Sequence, residues 1–215
     1  MEVKLKSVTP DAEVNIVEIA RVSSSRLDKK ENPEGLIKYL IKHKHWSPME
    51  HAYMTVEIKT SRAIGTQLLR HRSFTFQEFS QRYAEVTEFE PVELRRQAAN
   101  NRQSSTEAFD PILDNSHVEA EKMKASELLN QALKEIQWLY KELLDKGVAK
   151  ECARMILPLC TSTTIFMTGS IRSWIHFLEI RDDEHAQLEV QLIAREIKKI
   201  FIEQFPIISN ALNYN

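Results

Sequence analysis

The chain has only four glycines in 215 residues, and they lie far apart, at Gly35, Gly65, Gly147 and Gly169. Dinucleotide-binding folds and P-loops need closely spaced glycines, because their backbone amides approach the ligand phosphates directly. Neither pattern can be placed on this sequence. If the chain binds a nucleotide, side chains must supply the contacts that backbone N–H groups supply in those folds.

The charge balance excludes several classes of protein. The chain has 29 basic and 31 acidic residues, a net charge of −2, and 42% of its residues are hydrophobic. This composition is typical of a globular protein and argues against nucleic-acid or membrane partners, and no apolar run approaches a membrane span. Two cysteines fit a reducing compartment. We therefore expect a cytoplasmic protein, in the host cytoplasm if the chain is viral.

Hydrophobic periodicity predicts the α+β class, with a mixed or antiparallel sheet, several long helices and no Rossmann fold. We expect a single domain over residues 1–215. Residues 88–115 contain prolines and a polar run, and this pattern predicts a long excursion or lid. The predicted strands cover 3–8 and 53–59. The predicted helices cover 11–22, 61–70, 167–180 and 183–201, with a short helix beginning at 33. A further long helix is predicted to begin at a capping box at 116–119 and to end at 147.

No metal site is expected. His43, His45 and His51, with Glu50 among them, match no standard zinc spacing, and Pro48 interrupts any helix that could bring them together. Cys152 and Cys160 lie in apolar sequence, which favours buried small side chains over reactive thiols. Trp138 and Trp174 are interpreted as core or subunit contacts.

The densest polar cluster lies at 70–83. Arg70, His71 and Arg72 follow an amphipathic helix, and adjacent cations repel one another unless anions bind to them. Arginine binds phosphate oxygens through two parallel hydrogen bonds, hydroxyls add neutral donors, and aromatic rings can cover a flat heterocycle. A solvated basic turn is the alternative interpretation, but the Ser, Arg and Tyr that follow among phenylalanines favour a binding site.

The string RHRSFTFQEFSQRYAEV at 70–86 resembles the signature of the flavin-dependent thymidylate synthases: Arg-His-Arg, seven residues, then Ser, here with Arg82 two positions further. Other similar segments follow the family order. They are ARVS at 20–23, HKHWSPMEH at 43–51, TSRAIGTQLLRHR at 60–72, ARMILP at 153–158 and SIRSWIHFLEIRDDEHAQLE at 170–189.

The resemblance implies a homotetrameric methyltransferase that converts dUMP to dTMP. It also implies 5,10-methylenetetrahydrofolate as the carbon donor, FAD as the hydride carrier, NADPH as the reductant of the flavin, and active sites shared between subunits. Members of this family bind FAD without a Rossmann fold, in agreement with the glycine count. Two positions depart from the family pattern. Many relatives carry Asn where this chain has Ser170, and some carry Asn where it has His176.

The resemblance also assigns roles to individual residues. The catalytic positions are Arg181, which polarises the uracil ring, and Ser80, which binds dUMP through its hydroxyl and the adjacent amides. The FAD-binding positions are Ser23, His45, Ser47, Glu50, Arg70, His71, Arg72, Glu78, Ser170, Arg172 and His176. The dUMP-binding positions are Gln67, Arg70, Glu78, Ser80, Gln81, Arg82, Arg154 and Arg181.

The chemistry is consistent with these residue types. Uracil C5 is a poor nucleophile until negative charge on the ring is stabilised, and a fixed guanidinium does this without a thiolate adduct. The alternative function is an RNA-binding module at 70–96, which the net charge disfavours. In that module phosphates would bind Arg70, Arg72, Arg82, Arg95 and Arg96, and bases would stack on Phe74, Phe76 and Tyr83.

Overall fold

The computed structural model describes residues 1–22, 33–86, 88–114 and 122–214. They form two compact units, the first made of Met1–Lys59, Thr66–Glu78 and Thr164–Asn215, the second of Thr60–Gly65 and Phe79–Thr163. The strands are β1 (Glu2–Val8), β2 (Tyr53–Ser61), β3 (Thr75–Glu78), β4 (Arg95–Gln97), β5 (Ser105–Ala108), β6 (Ile112–Asp114), β7 (Lys122–Lys124) and β8 (Ser162–Ser170). The α-helices are α1 (Ala12–Ala20), α2 (Pro33–Lys42), α3 (Arg62–Leu68), α4 (Ala125–Asp145), α5 (Lys150–Ala153), α6 (Ile171–Arg181), α7 (Leu188–Gln204) and α8 (Pro206–Leu212).

The first unit is built on a four-stranded sheet in the order β1-β2-β8-β3. The β1–β2 and β3–β8 pairs are antiparallel. Along β2, Met54, Val56 and Ile58 are fully buried and alternate with more exposed residues, as a strand with one covered face requires. The indole Nε1 of Trp174 in α6 donates to the carbonyl of Met54 at 2.9 Å, which holds α6 against the sheet.

The second unit contains two short antiparallel pairs, β4–β5 and β6–β7, and the long helix α4. Asp110 accepts hydrogen bonds from the backbone N–H and the hydroxyl of Ser126 at 2.9 and 2.6 Å, so it satisfies donors in the first turn of α4. After α4, Gly147 adopts φ 85°, a left-handed conformation that glycine accommodates without strain.

Most predicted elements are confirmed, including the strands at 3–8 and 53–59 and the α+β class. The helix predicted over 167–180 is wrong at its beginning, because Met167 to Ser170 belong to β8. The helix predicted from Asp183 begins only at Leu188. Before it, Asp183 accepts the N–H of His185 at 2.8 Å, a local turn that competes with helix.

Other expectations also need correction. The predicted capping box at 116–119 lies outside the described residues, and Lys122–Lys124 forms β7 before α4 begins. Residues 88–114 include β4, β5 and β6, which sequence periodicity did not predict. Trp174 is buried, as expected of a core residue, whereas Trp138 is 64% exposed, so for Trp138 the core interpretation is wrong and the subunit contact stays a prediction. Cys152 is exposed, so the prediction that both cysteines are buried is wrong. Within the described ranges, no helix is long and apolar enough to cross a bilayer.

Candidate functional site

Ser170 joins the sheet to α6 and organises the surrounding polar groups. It is the last residue of β8 and the N-cap of α6, where its hydroxyl oxygen accepts the backbone N–H of Ser173 at 3.3 Å. The same hydroxyl donates to Glu50 Oε2 at 2.5 Å. Ser170 is 4% exposed, so both bonds satisfy polar groups that water reaches poorly.

Glu50 is held on both carboxylate oxygens. It lies in the short 3₁₀ helix Ser47–His51, and Arg172 Nη1 donates to its Oε1 at 2.8 Å. The hydrogen bond from Ser170 holds the pKa of Glu50 below its usual value, and the guanidinium of Arg172 lowers the pKa further. Glu50 is therefore a carboxylate at neutral pH.

A cavity of about 420 Å³ opens over these groups, a volume suited to a small-molecule ring system. Ser173 lies in its wall and donates through its hydroxyl to the carbonyl of Ser73 at 3.3 Å, which fastens the turn after Arg72 to α6. The cavity brings together three of the predicted flavin residues, Glu50, Arg172 and His176, whereas Arg70, His71 and Arg72 are not among its lining residues. Its lining residues are Trp46, Glu50, Ser73, Arg172, Ser173, Ile175, His176 and Glu179.

His71 and Arg181 meet at a hydrogen bond. Arg181 ends α6, and its Nε donates to His71 Nε2 at 2.8 Å. Burial lowers the pKa of His71 from 6.5 to about 4, and electrostatic interactions with Arg181 and His176 lower it further. Burial and the charge of Arg70 likewise lower the pKa of Arg181.

The two arginines of the triplet, Arg70 and Arg72, have no anionic partner in the part of the chain that the structure describes. Among the described residues, neither Arg70 nor Arg72 forms an ion pair with a carboxylate, and Arg181 bonds only to the imidazole of His71. Arg70 and Arg72 are exposed, so both guanidinium groups are accessible to a ligand anion, and Arg181 is half-buried. The donor set and the neighbouring cavity thus fit a flavin nucleotide, with cationic groups for its phosphates and a mixed polar and apolar wall for its ring.

Other predicted residues of the first unit lie on several elements. Gln67, in α3, donates to Gln187 Oε1 at 2.6 Å. Glu78 ends β3 opposite Ile165 of β8. His45 is exposed, with its ring 5.9 Å from that of Tyr39, and Ser47 is exposed at the start of the 3₁₀ helix. Ser23 lies outside the described residues.

Four predicted dUMP positions belong to the second unit. Ser80 and Arg82 line an open cavity of about 360 Å³ together with Tyr83 and the segment at 149–151. Arg82 makes an exposed ion pair with Glu151 at 3.3 Å, which a ligand anion can displace at small cost. Gln81 and Arg154 each carry a buried nitrogen, Nε2 and Nε respectively, with no hydrogen-bond partner among the described residues.

Sequence reasoning missed Ser73 and Ser173, which link the turn at 70–74 to α6. A serine at 170 followed by another at 173 is a usable signal, because an N-cap hydroxyl bonds to the third residue after it. Trp46 and Glu179, also in the cavity wall, have no comparable signal. No group of three or more His, Cys, Asp or Glu side chains in the described part of the chain is placed to hold a metal ion.

Comparisons with known proteins agree over nearly the whole chain. Residues 4–207 match the family model described as thymidylate synthase complementing protein. The chain is 47% identical to a probable flavin-dependent thymidylate synthase of Paramecium bursaria Chlorella virus 1 over 100% of both chains. It is 46% identical to the flavin-dependent thymidylate synthase of Synechocystis sp., over 91% of this chain and 86% of the relative.

A solved structure has a similar fold. The crystal structure of a UMP/dUMP methylase, PolB, from Streptomyces cacaoi, bound with 5-Br dUMP, superposes with a TM-score of 0.80 and 27% sequence identity. The match covers 99% of this chain and 94% of that one.

Proposed function

Because the chain belongs to the family of thymidylate synthase complementing proteins, we propose that it is a flavin-dependent thymidylate synthase that methylates dUMP reductively to dTMP. The resemblance found in the sequence is confirmed, and with it the prediction of an FAD-dependent methyltransferase. The structural observation that carries the proposal is the proximity of Arg70 and Arg181, neither of which has a carboxylate partner among the described residues.

The finer assignments are part of the proposal. 5,10-methylenetetrahydrofolate donates the carbon, NADPH reduces the flavin, and the enzyme is a homotetramer with active sites shared between subunits. These assignments are supported by the signature segments at 43–51, 60–86 and 170–189. A cytoplasmic location is supported by the sparing use of cysteine. The single domain over 1–215 and the lid at 88–115 stay predictions.

FAD, when bound, supplies two-electron redox chemistry. Arg70, His71 and Arg72 would hold its charged groups, and Arg172, His176 and the carboxylate of Glu50 would line its ring. Glu50 and Arg172 neutralise each other and present hydrogen-bonding groups to the ring, while Glu179 adds an acidic side chain to the same wall. The wall would also shield the reacting atoms from water.

Arg181 carries the chemistry on the pyrimidine. Its guanidinium stays charged at neutral pH, and its half-buried position strengthens its attraction for negative charge that develops on the uracil ring. Its Nη groups have no partner among the described residues, so they are available to a uracil oxygen. Gln67, Glu78, Ser80, Gln81, Arg82 and Arg154 would bind dUMP.

The structure disfavours the RNA-binding alternative. Three of the five arginines already have carboxylate partners: Arg82 pairs with Glu151 at 3.3 Å, Arg95 with Glu93 at 2.9 Å and Arg96 with Glu107 at 2.7 Å. The ring of Phe74 is buried at 8% exposure and cannot stack on a base.

The direct test is dTMP formation from dUMP, 5,10-methylenetetrahydrofolate, NADPH and FAD. The full chain should form dTMP, and Arg181→Ala should abolish turnover while FAD stays bound and retains its visible spectrum. Arg96→Ala removes an arginine outside the proposed site and should leave the rate unchanged. A wild-type protein that binds FAD but forms no dTMP would refute the function, and turnover by Arg181→Ala would refute the role of that arginine.

A further inference from the structure

The hydrogen bond between Arg181 and His71 fixes the protonation of the imidazole. A guanidinium has only donors, so His71 Nε2 must present a lone pair to Arg181 Nε, 2.8 Å away. The proton of the neutral ring then lies on Nδ1. Protonation of Nε2 would replace this bond with repulsion between two cations.

The imidazole is itself held rigidly. Its ring makes an edge contact with Phe177, with centroids 5.0 Å apart and an interplanar angle of 67°, and a more distant one with Phe74 at 6.2 Å. The backbone N–H of His71 donates to the carbonyl of Leu68 at 3.1 Å. A half-buried ring in such a setting favours the neutral form, in agreement with its lowered pKa.

The bond uses only one part of the guanidinium. Arginine has five N–H donors, and the Nε bond leaves the four on Nη1 and Nη2 for a ligand. These two nitrogens have no partner among the described residues. An arginine held only by its stem has several rotamers, whereas one fixed at Nε presents its two Nη groups in a set plane.

We infer that His71 is a positioning residue that orients Arg181 through a neutral imidazole with its proton on Nδ1. The role in turnover rests on the proposed function, since Arg181 is there the group that stabilises charge on uracil. His71 then acts on catalysis through Arg181, in addition to any contact with FAD.

The protonation can be measured without turnover. The full chain, labelled with ¹⁵N-histidine and free of ligands, is studied by magic-angle-spinning NMR at pH 7. We expect a neutral imidazole with the proton on Nδ1, whose signals disappear in His71→Gln and change in Arg181→Lys. His43→Gln, a matched change at an exposed histidine, should leave them in place. A charged ring, or a neutral ring protonated on Nε2, would overturn the inference.

Kinetics at saturating FAD and dUMP separate positioning from flavin binding. His71→Ala should lower kcat on the order of 10²-fold, the effect of a catalytic group misplaced by about 1 Å. His71→Gln should recover much of this loss, because its amide oxygen can accept from Arg181. In an Arg181→Lys background, which lacks the Nε donor, His71→Ala should lower kcat by a far smaller factor.

Equal fold-losses of kcat in the two backgrounds would overturn the positioning role. A loss of kcat that a higher FAD concentration restores completely would overturn it as well. If the wild-type protein makes no dTMP at all, the proposed function fails, yet the NMR measurement still decides whether the imidazole accepts from Arg181. The two failures are therefore distinguishable.

Discussion

Ser170 shows how one hydroxyl can serve two structural tasks. It accepts the N–H of Ser173 at the start of α6 and donates to Glu50 from another element. A serine hydroxyl has one proton and two lone pairs, so both bonds can form at once. The residue that sequence comparison assigns to the flavin is thus already engaged within the protein, and its role includes holding Glu50.

Ser170→Ala removes both bonds and should destabilise the ligand-free protein by about 1–2 kcal/mol, the usual cost of a lost N-cap with a further hydrogen bond. Ser170→Asn should lose much less, because its amide oxygen can cap the helix and its amide nitrogen can donate to Glu50. Urea unfolding followed by circular dichroism gives the free energies. Ser47→Ala, at an exposed serine, is the control. Equal stability of the alanine and wild-type proteins would show that the Ser170 bonds contribute nothing net.

Residue types near the site could be predicted from sequence, but their pairing could not. The Arg-His-Arg triplet is recognisable because adjacent cations repel one another unless anions bind to them. The bond between Ser170 and Glu50 joins positions 120 residues apart, and that between Arg181 and His71 joins positions 110 apart. No local pattern encodes such pairs, since the fold alone brings them together.

At the scale of elements, the junction of β8 with the turn at 70–74 depends on Gly169. A Cβ at this position would overlap ring atoms Cδ1 and Cε1 of Phe74. That ring is buried and packs edge-on against Trp174, with centroids 4.6 Å apart, so it has little room to move. Glycine is required here by close approach rather than by backbone conformation.

Gly169→Ala should therefore destabilise the protein by about 1–3 kcal/mol, the range for overpacking a core. Phe74→Leu should cost less in the Gly169→Ala background than in the wild type, because the smaller side chain relieves the overlap. Urea unfolding gives the free energy of unfolding of the four proteins in this double-mutant cycle, which are the wild type, the two single variants and the double variant.

Gly147→Ala is the matched control for that cycle. No heavy atom lies within 4 Å of a Cβ built there, but its φ of 85° strains alanine. The loss of unfolding free energy caused by Gly147→Ala should add to the loss caused by Phe74→Leu, as expected for independent sites. A Gly169→Ala effect that also adds to Phe74→Leu would contradict the packing argument.

Element boundaries were predicted well where periodicity was clear and poorly where composition was ambiguous. The alternation in Met54, Val56 and Ile58 identified β2 directly. In β8, three threonines and a glycine weaken the apolar signal, so the helix predicted over 167–180 begins inside the strand. The helix predicted from 183 begins five residues later, and Asp182 before it binds Arg195 and Lys198 of α7, each at 3.0 Å.

At the scale of the whole molecule, the nucleotide site that we propose is built from side chains, in keeping with the four glycines of the chain. In the first unit, the cations come from the turn after α3 and from the end of α6, and the cavity wall comes from α6 and the 3₁₀ helix. In such a site, binding of the nucleotide phosphates depends on where the charged side chains lie rather than on a flexible loop. A site of this kind also explains why composition excluded phosphate-binding loops without excluding nucleotide binding.

The same arrangement predicts that neither of the chain's two thiols takes part in catalysis. Burial raises the pKa of Cys160, so its thiolate is scarce at neutral pH, and Cys152 is exposed in a four-residue helix. The double variant Cys152→Ala with Cys160→Ala should keep at least about half of the wild-type kcat, because charge stabilisation by Arg181 needs no covalent adduct. Steady-state dTMP formation measures this, with Arg181→Ala as the inactive reference. Complete loss of turnover in a double variant that still folds and binds FAD would mean that a cysteine attacks the pyrimidine ring, and the arginine mechanism would then be wrong.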